Sequence, residues 1–260
     1  MTNDRRVLVH PDKKAMTGSV AARFLTKLVD ILDEEETANV VLTGGTVGPS
    51  ILAAVNESAA RDSVDWTRVH FWFGDERWLP QGDPERNDTT VRTALLDHID
   101  LPAENVHAMG ASDAGLSLDE AVAAYTAELA AHANGDTSIP RFDITFLGVG
   151  PDGHVASLFP DSEGIRTMDA AVIPVRNSPK PPAERISLTL PVLNSSLRIW
   201  MVLAGPDKAF ALGLALGLAL AGADRTEVPV AGIKGRKRTV FFIDREAAAD
   251  VPENLRLSSY

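Results

Sequence analysis

At 260 residues, 45% of them hydrophobic, the chain is long enough to bury a sizeable core and is not compositionally disordered. Its net charge of −11, from 36 acidic and 25 basic residues, argues against non-specific binding to nucleic acid or to an anionic membrane, which need a basic face. The absence of cysteine excludes disulfides, a thiol nucleophile and a thiolate metal site, and fits a reducing cytoplasm.

The charged start, residues 1–14, lacks the apolar core of a secretion signal. Residues 6–10 read as a first strand. Residues 15–32 place Val20, Phe24, Leu28 and Ile31 at helical spacing, and the acidic run 33–36 reads as a solvated helix end. A second strand, 40–42, runs into Thr43-Gly44-Gly45-Thr46. Gly48-Pro49 then opens a helix over 50–60, with proline at a favoured first-turn position. A third strand, 69–73, ends in Gly74-Asp75-Glu76-Arg77-Trp78. A loop rich in Pro, Gly and Asp leads to a helix over 87–99, a short strand at 105–109 and a helix at 117–133. Ser117 and Glu120 form a capping box for that last helix.

The apolar strand 144–147 stops in Gly148-Val149-Gly150-Pro151-Asp152-Gly153-His154. Residues 171–175 and 185–190 read as strands on either side of the turn Ser178-Pro179-Lys180-Pro181-Pro182. The apolar run 198–204 ends in Gly205-Pro206-Asp207-Lys208, at the head of an apolar helix over 209–223. That helix is too short for a bilayer span of roughly 20 residues, so Gly213 and Gly217 mark a close helix contact in a soluble core. Late strands are expected at 228–233 and 239–243. No linker or repeat interrupts the chain, which reads as one domain over 1–260. Strands alternating with helices predict an α/β fold, a doubly wound, largely parallel sheet with helices on both faces. Several strands end in glycine turns bearing charge, which places the chemistry at the C-terminal edge of the sheet.

Gly148-x-Gly150-x-x-Gly153 is a poor dinucleotide fingerprint. Asp152 inside it would repel a pyrophosphate, and Asp169 is only a weak ribose-binding candidate. Thr43-Gly44-Gly45-Thr46 fits an anion cradle, with bare backbone N–H groups, a hydroxyl donor and a helix N-terminus behind them; the alternative is a plain strand-to-helix turn. Arg77 offers a fork of N–H donors to a phosphate, carboxylate or oxyanion, unless the charges at 75–77 are a surface salt-bridge cluster. Lys208 just inside a helix start opposes the helix dipole, a cost that a bound anion would offset. An imidazole titrates near neutrality, so His154 suits a general base, a role worth about 10²–10⁴ in rate, with Asp152 placed to orient it. Ser157 lacks the GxSxG setting of a hydrolase nucleophile. His10, His70, His98, His107 and His132 show neither HxH nor HExxH spacing, so no metal site is expected.

These blocks, with Asn87 and the segment 185–189, closely resemble the 6-phosphogluconolactonases of the oxidative pentose phosphate pathway, in order over nearly the whole chain. The 148–160 block is the most specific carrier. The resemblance implies a deaminase/lactonase-like modified Rossmann architecture, shared with glucosamine-6-phosphate deaminases. Those enzymes carry a glutamate five residues after the histidine, where this chain has Phe159. The implied reaction is hydrolysis of 6-phospho-D-glucono-1,5-lactone, with no metal, cofactor or covalent intermediate. The implied catalytic residues are His154 as base, Arg77 for the oxyanion and Asp152 for orientation. Asp75 and Asn87 would meet the sugar, and Gly44, Gly45, Thr46, Arg185 and Lys208 the phosphate, with Lys180 on a loop able to close. The expected partner is a small phosphorylated sugar lactone, bound by a cytoplasmic monomer or small homo-oligomer. The alternatives are a sugar-phosphate deaminase or isomerase, and a non-catalytic sugar-phosphate sensor.

Overall fold

The computed structural model describes residues 4–133, 135, 137–209, 213, 224–251 and 257–258. The chain alternates strand and helix through β1 (Asp4–His10), α1 (Lys13–Glu34), β2 (Ala38–Leu42), α2 (Gly48–Glu57) and β3 (Val69–Phe73). The middle carries β4 (Asp75–Arg77), α3 (Asn87–Ala94), β5 (Val106–His107), α4 (Leu118–Ala131), β6 (Ile144–Leu147) and α5 (Glu163–Arg166). The last part holds β7 (Val172–Val175), β8 (Arg185–Leu188), α6 (Leu190–Ser195), β9 (Arg198–Leu203), β10 (Arg238–Asp244) and β11 (Leu257–Ser258).

Eight strands form one parallel sheet in the order β11-β1-β10-β9-β6-β2-β3-β5. From β1 to β5 the chain steps across the sheet in one direction, and from β5 onward it steps back. Because parallel crossovers are right-handed, the two runs place their helices on opposite faces. Accordingly α1 packs on α2 and α2 on α3, whereas α4 packs on β7 and β8. The sheet is therefore doubly wound, as the alternation predicts. Burial on both faces explains the apolar runs of β2 and β6. Phe24 of α1 meets Phe146 edge-on at 5.2 Å, and Phe146 meets Trp200 of β9 at 5.4 Å. The exception in β2, Asn39, is satisfied: its side-chain oxygen accepts from Trp72 Nε1 at 3.0 Å.

Three expectations need correction. Residues 228–233 are not a strand. Pro229 has no N–H to give a ladder, and the segment closes i+3 bonds into a 3₁₀ turn over Pro229–Gly232. The segments 171–175 and 185–190 are strands as read, but they do not join the main sheet. β7 and β8 pair antiparallel with β4 in a second, three-stranded sheet, and Leu190 already begins α6. Gly74 hands the chain from one sheet to the other: its N–H bonds Leu42 in β2 and its carbonyl accepts from Leu188 in β8. The helix expected over 87–99 ends at Ala94 and continues as a 3₁₀ turn. The apolar helix expected over 209–223, with its Gly213 and Gly217, lies outside the described residues apart from Ala209 and Gly213. No helix among the described residues is long and apolar enough to cross a membrane.

The expected stripe of α1 is buried, and Asp12 caps the helix by accepting from Ala15 N at 2.8 Å. The capping box of α4 is present in both directions: Ser117 Oγ accepts from Glu120 N, and the Glu120 carboxylate accepts from Ser117 N at 2.8 Å. Ser117→Ala should therefore destabilise the protein by about 1 kcal/mol. Urea unfolding with an unchanged slope and a lower midpoint is the expected result, and an unshifted midpoint would show that this cap contributes nothing.

Candidate active site

The loops after β2 and β6 leave the sheet in opposite directions, and a crevice opens where they part. The cavity there has a volume of about 390 Å³. Every candidate residue except Asp152 lines it, and Asp152 stands behind His154.

The histidine turn is built on close approach. A Cβ on Gly150 would fall 1.9 Å from His154 Cε1, so the ring lies directly over bare backbone. Gly150 N donates to His154 O at 2.9 Å, and Val230 N of the 3₁₀ turn donates to Gly153 O at 3.0 Å, bracing the loop from outside. The ring also packs on Phe159, with centroids 4.6 Å apart. His154 Nδ1 makes a short contact with Asp152 Oδ1. Lys180 Nζ lies 3.3 Å from the same oxygen and 3.2 Å from Nδ1. The carboxylate is the closer partner, so Nδ1–H donates to Asp152, as does the ammonium, and the lone pair falls on Nε2. Partial burial alone would raise the Asp152 carboxyl. The hydrogen bond from His154 and the charge of Lys180 outweigh it and hold the group well below the usual carboxylate range.

The opposite wall is cross-braced. Asp75 Oδ2 accepts from Ser157 Oγ at 2.6 Å, and Asn87 Nδ2 donates to the Asp75 carbonyl at 2.8 Å. That leaves Asn87 Oδ1 buried and without a partner among the described residues, at the cavity wall. A Cβ on Gly44 would sit 1.7 Å from this oxygen, which is why the turn after β2 carries glycine there. Below lies Glu76, wholly buried with Arg86 3.7 Å away. Its carboxylate accepts from the backbone N–H of Arg77, Asn87 and Asp88, so it also caps α3. Burial pushes the Glu76 carboxyl up to about 7, against the pull of Arg86 and those three donors. The charges at 75–77 are thus not a surface cluster: Asp75 and Glu76 are buried.

The third side is electropositive. The N-terminus of α2 has no side-chain cap among the described residues, and its start, Val47 and Gly48, lines the cavity beside Gly45 and Thr46. Burial lowers the Lys180 ammonium, Asp152 pulls it back up, and the nearby cations of Lys208 and Arg185 lower it further. Arg185 differs from expectation in where its donors point. Nε and Nη2 donate to the carbonyls of Pro182, Pro181 and Lys180, tying down the loop, and the guanidinium rests over Phe159 at 5.7 Å. Sequence reasoning missed Ser157, Glu76 and Arg86 as members of the site. Ser157 sits inside the most specific block, but only the fold shows that its hydroxyl fixes Asp75.

Residues 11–242 match the family model of glucosamine-6-phosphate isomerases/6-phosphogluconolactonase. A 6-phosphogluconolactonase of Streptomyces coelicolor is 47% identical over 98% of this chain and 98% of its own. One from Mycobacterium leprae is 41% identical over 95% of this chain and 98% of its own. The crystal structure of a 6-phosphogluconolactonase from Thermotoga maritima superposes with a TM-score of 0.79 at 27% identity, covering 93% of this chain and all of that one. With a model match over most of its length and relatives this similar end to end, the chain belongs to the glucosamine-6-phosphate isomerase/6-phosphogluconolactonase family.

Proposed function

We propose that the chain hydrolyses 6-phospho-D-glucono-1,5-lactone to 6-phospho-D-gluconate, the lactonase step of the oxidative pentose phosphate pathway. The observation that carries the reading is one cavity with an oriented imidazole on one side and an electropositive helix end on another. The similarity to proteins named 6-phosphogluconolactonase supports it.

In this reading the phosphate lies at Gly44, Gly45 and Thr46 against the N-terminus of α2, with Lys208 and Lys180 neutralising its charge. Arg185 contributes mainly by holding the Lys180 loop, and its Nη1 is the part left for the phosphate. The buried Asn87 Oδ1 accepts from a sugar hydroxyl, and Asp75, fixed by Ser157, takes another. His154 Nε2 removes a proton from the water that attacks the lactone carbonyl. The negative charge develops on the carbonyl oxygen and is met by N–H donors of Arg77, a kind of contact typically worth about 10²–10³. The imidazolium, steadied by Asp152, then protonates the ring oxygen as the C–O bond breaks. A δ-lactone is already a reactive ester, so no covalent intermediate is required.

The deaminase alternative needs a carboxylate five residues after the histidine. Phe159 stands there, filling the space between the His154 ring and the Arg185 guanidinium. Measuring ammonia release from glucosamine 6-phosphate beside lactone hydrolysis separates the two, and activity on the amino sugar alone overturns the proposal.

His154→Ala should lower the enzymatic rate by about 10²–10⁴ while leaving 6-phosphogluconate binding in place. Turnover equal to that of the unaltered protein would remove His154 from the chemistry. Lys208→Ala should raise KM with little change in kcat, as loss of binding shared by ground and transition states does. An unaltered KM would clear Lys208 of phosphate contact.

A further inference from the structure

Three of the six histidines, His70, His107 and His132, meet away from the active site where β3, β5 and the end of α4 converge. They come from separate elements, so no local spacing announces them. His107 lies flat on Trp72, with centroids 3.7 Å apart, and its side chain is 1% exposed. Both of its nitrogens are engaged. Nδ1 faces Glu128 Oε1 at 2.7 Å, and Nε2 faces His70 Nδ1 at 3.0 Å. His132 Nδ1 lies 3.6 Å from the same Glu128 oxygen and donates to the Glu128 carbonyl at 3.0 Å, which leaves the lone pair on Nε2.

We infer that His107, Glu128 and His132 form a binding site for a zinc-type divalent transition ion. One ligand atom from each lies within 4.8 Å of the other two. Metal bonds of about 2.0–2.2 Å set ligand atoms roughly 3–4 Å apart, so small rotations of the two solvent-facing side chains complete the shell. Those side chains, His132 and Glu128, are 37% and 42% exposed, so an ion can enter from solvent and keep water in its open positions. The ion would take the place of the proton that His107 and Glu128 now share. His107 would then donate its other N–H to His70, the outer hydrogen bond that orients a metal-bound imidazole. Two imidazoles and one carboxylate favour zinc, cobalt or nickel over magnesium or calcium. Bound there, the ion ties the two-residue edge strand β5 to the end of α4.

The test uses the full chain with His154→Ala, which removes the active-site imidazole as a competing ligand. Calorimetric titration with Zn²⁺ alone should show one equivalent bound, Co²⁺ should give a visible ligand-field spectrum, and Mg²⁺ should not compete. Glu128→Gln and His132→Ala should each weaken binding at least about tenfold, and His70→Ala about tenfold. Zn²⁺ should raise the melting temperature of the parent and not of the Glu128→Gln variant. On the unaltered background, retained turnover of Glu128→Gln and His132→Ala serves as the folding control. Zn²⁺ affinity indifferent to both substitutions, or Co²⁺ without a coordination spectrum, overturns the site.

Discussion

The wall that carries Asp75, Arg77 and Asn87 is held by one buried carboxylate. Glu76 gathers three backbone N–H groups and the Arg86 guanidinium at a point with no access to solvent. Arg86 in turn donates to the carbonyls of Leu79, Met109 and Gly110, so the loop between β4 and α3 closes around a charged centre. A buried ion pair adds little net stability against an apolar replacement, yet removing one partner costs about 3–5 kcal/mol because the other charge is stranded. The pair is therefore better understood as fixing geometry: it sets where β4 ends and where α3 begins, and with them the direction of three side chains that face the cavity.

The cavity reverses the sign of the molecule. A chain of net charge −11 assembles Lys180, Lys208, Arg185 and an uncapped helix end around one small volume. At distances under a Debye length of about 10 Å, local charge decides the field and the distant acidic surface is screened. Burial is the main cause of the lowered Lys180 ammonium, the nearby cations of Lys208 and Arg185 add to it, and a dianionic group among them would oppose their repulsion.

Much of this was legible in the sequence. The parallel sheet followed from apolar runs alternating with helical spacing. The candidate residues were recognisable because glycines, an acid and a base gather at strand ends, where bare backbone and chemistry are needed together. What could not be read depends on contacts distant in sequence. Residues 228–233 look like a strand because Val228, Val230 and Ile233 are β-favouring, and only their hydrogen bonds and Pro229 make them a turn. Residues 185–188 have strand character, but nothing local says that Gly74 diverts their partner into a separate sheet. Glu76 and Arg86 look like any solvated charges until the fold buries them, and the histidine cluster arises only when β3, β5 and α4 meet.

Phe159 is shared by two neighbours with different duties. Its ring backs the imidazole of His154 and also forms the platform for Arg185, which grips the carbonyls around Lys180. An exchange to glutamate at this position would insert an acid and take away the aromatic seat of the loop anchor in the same stroke. The aromatic ring at 159 is therefore a shared bearing surface, and its loss would be felt by the loop anchor as well as by the base.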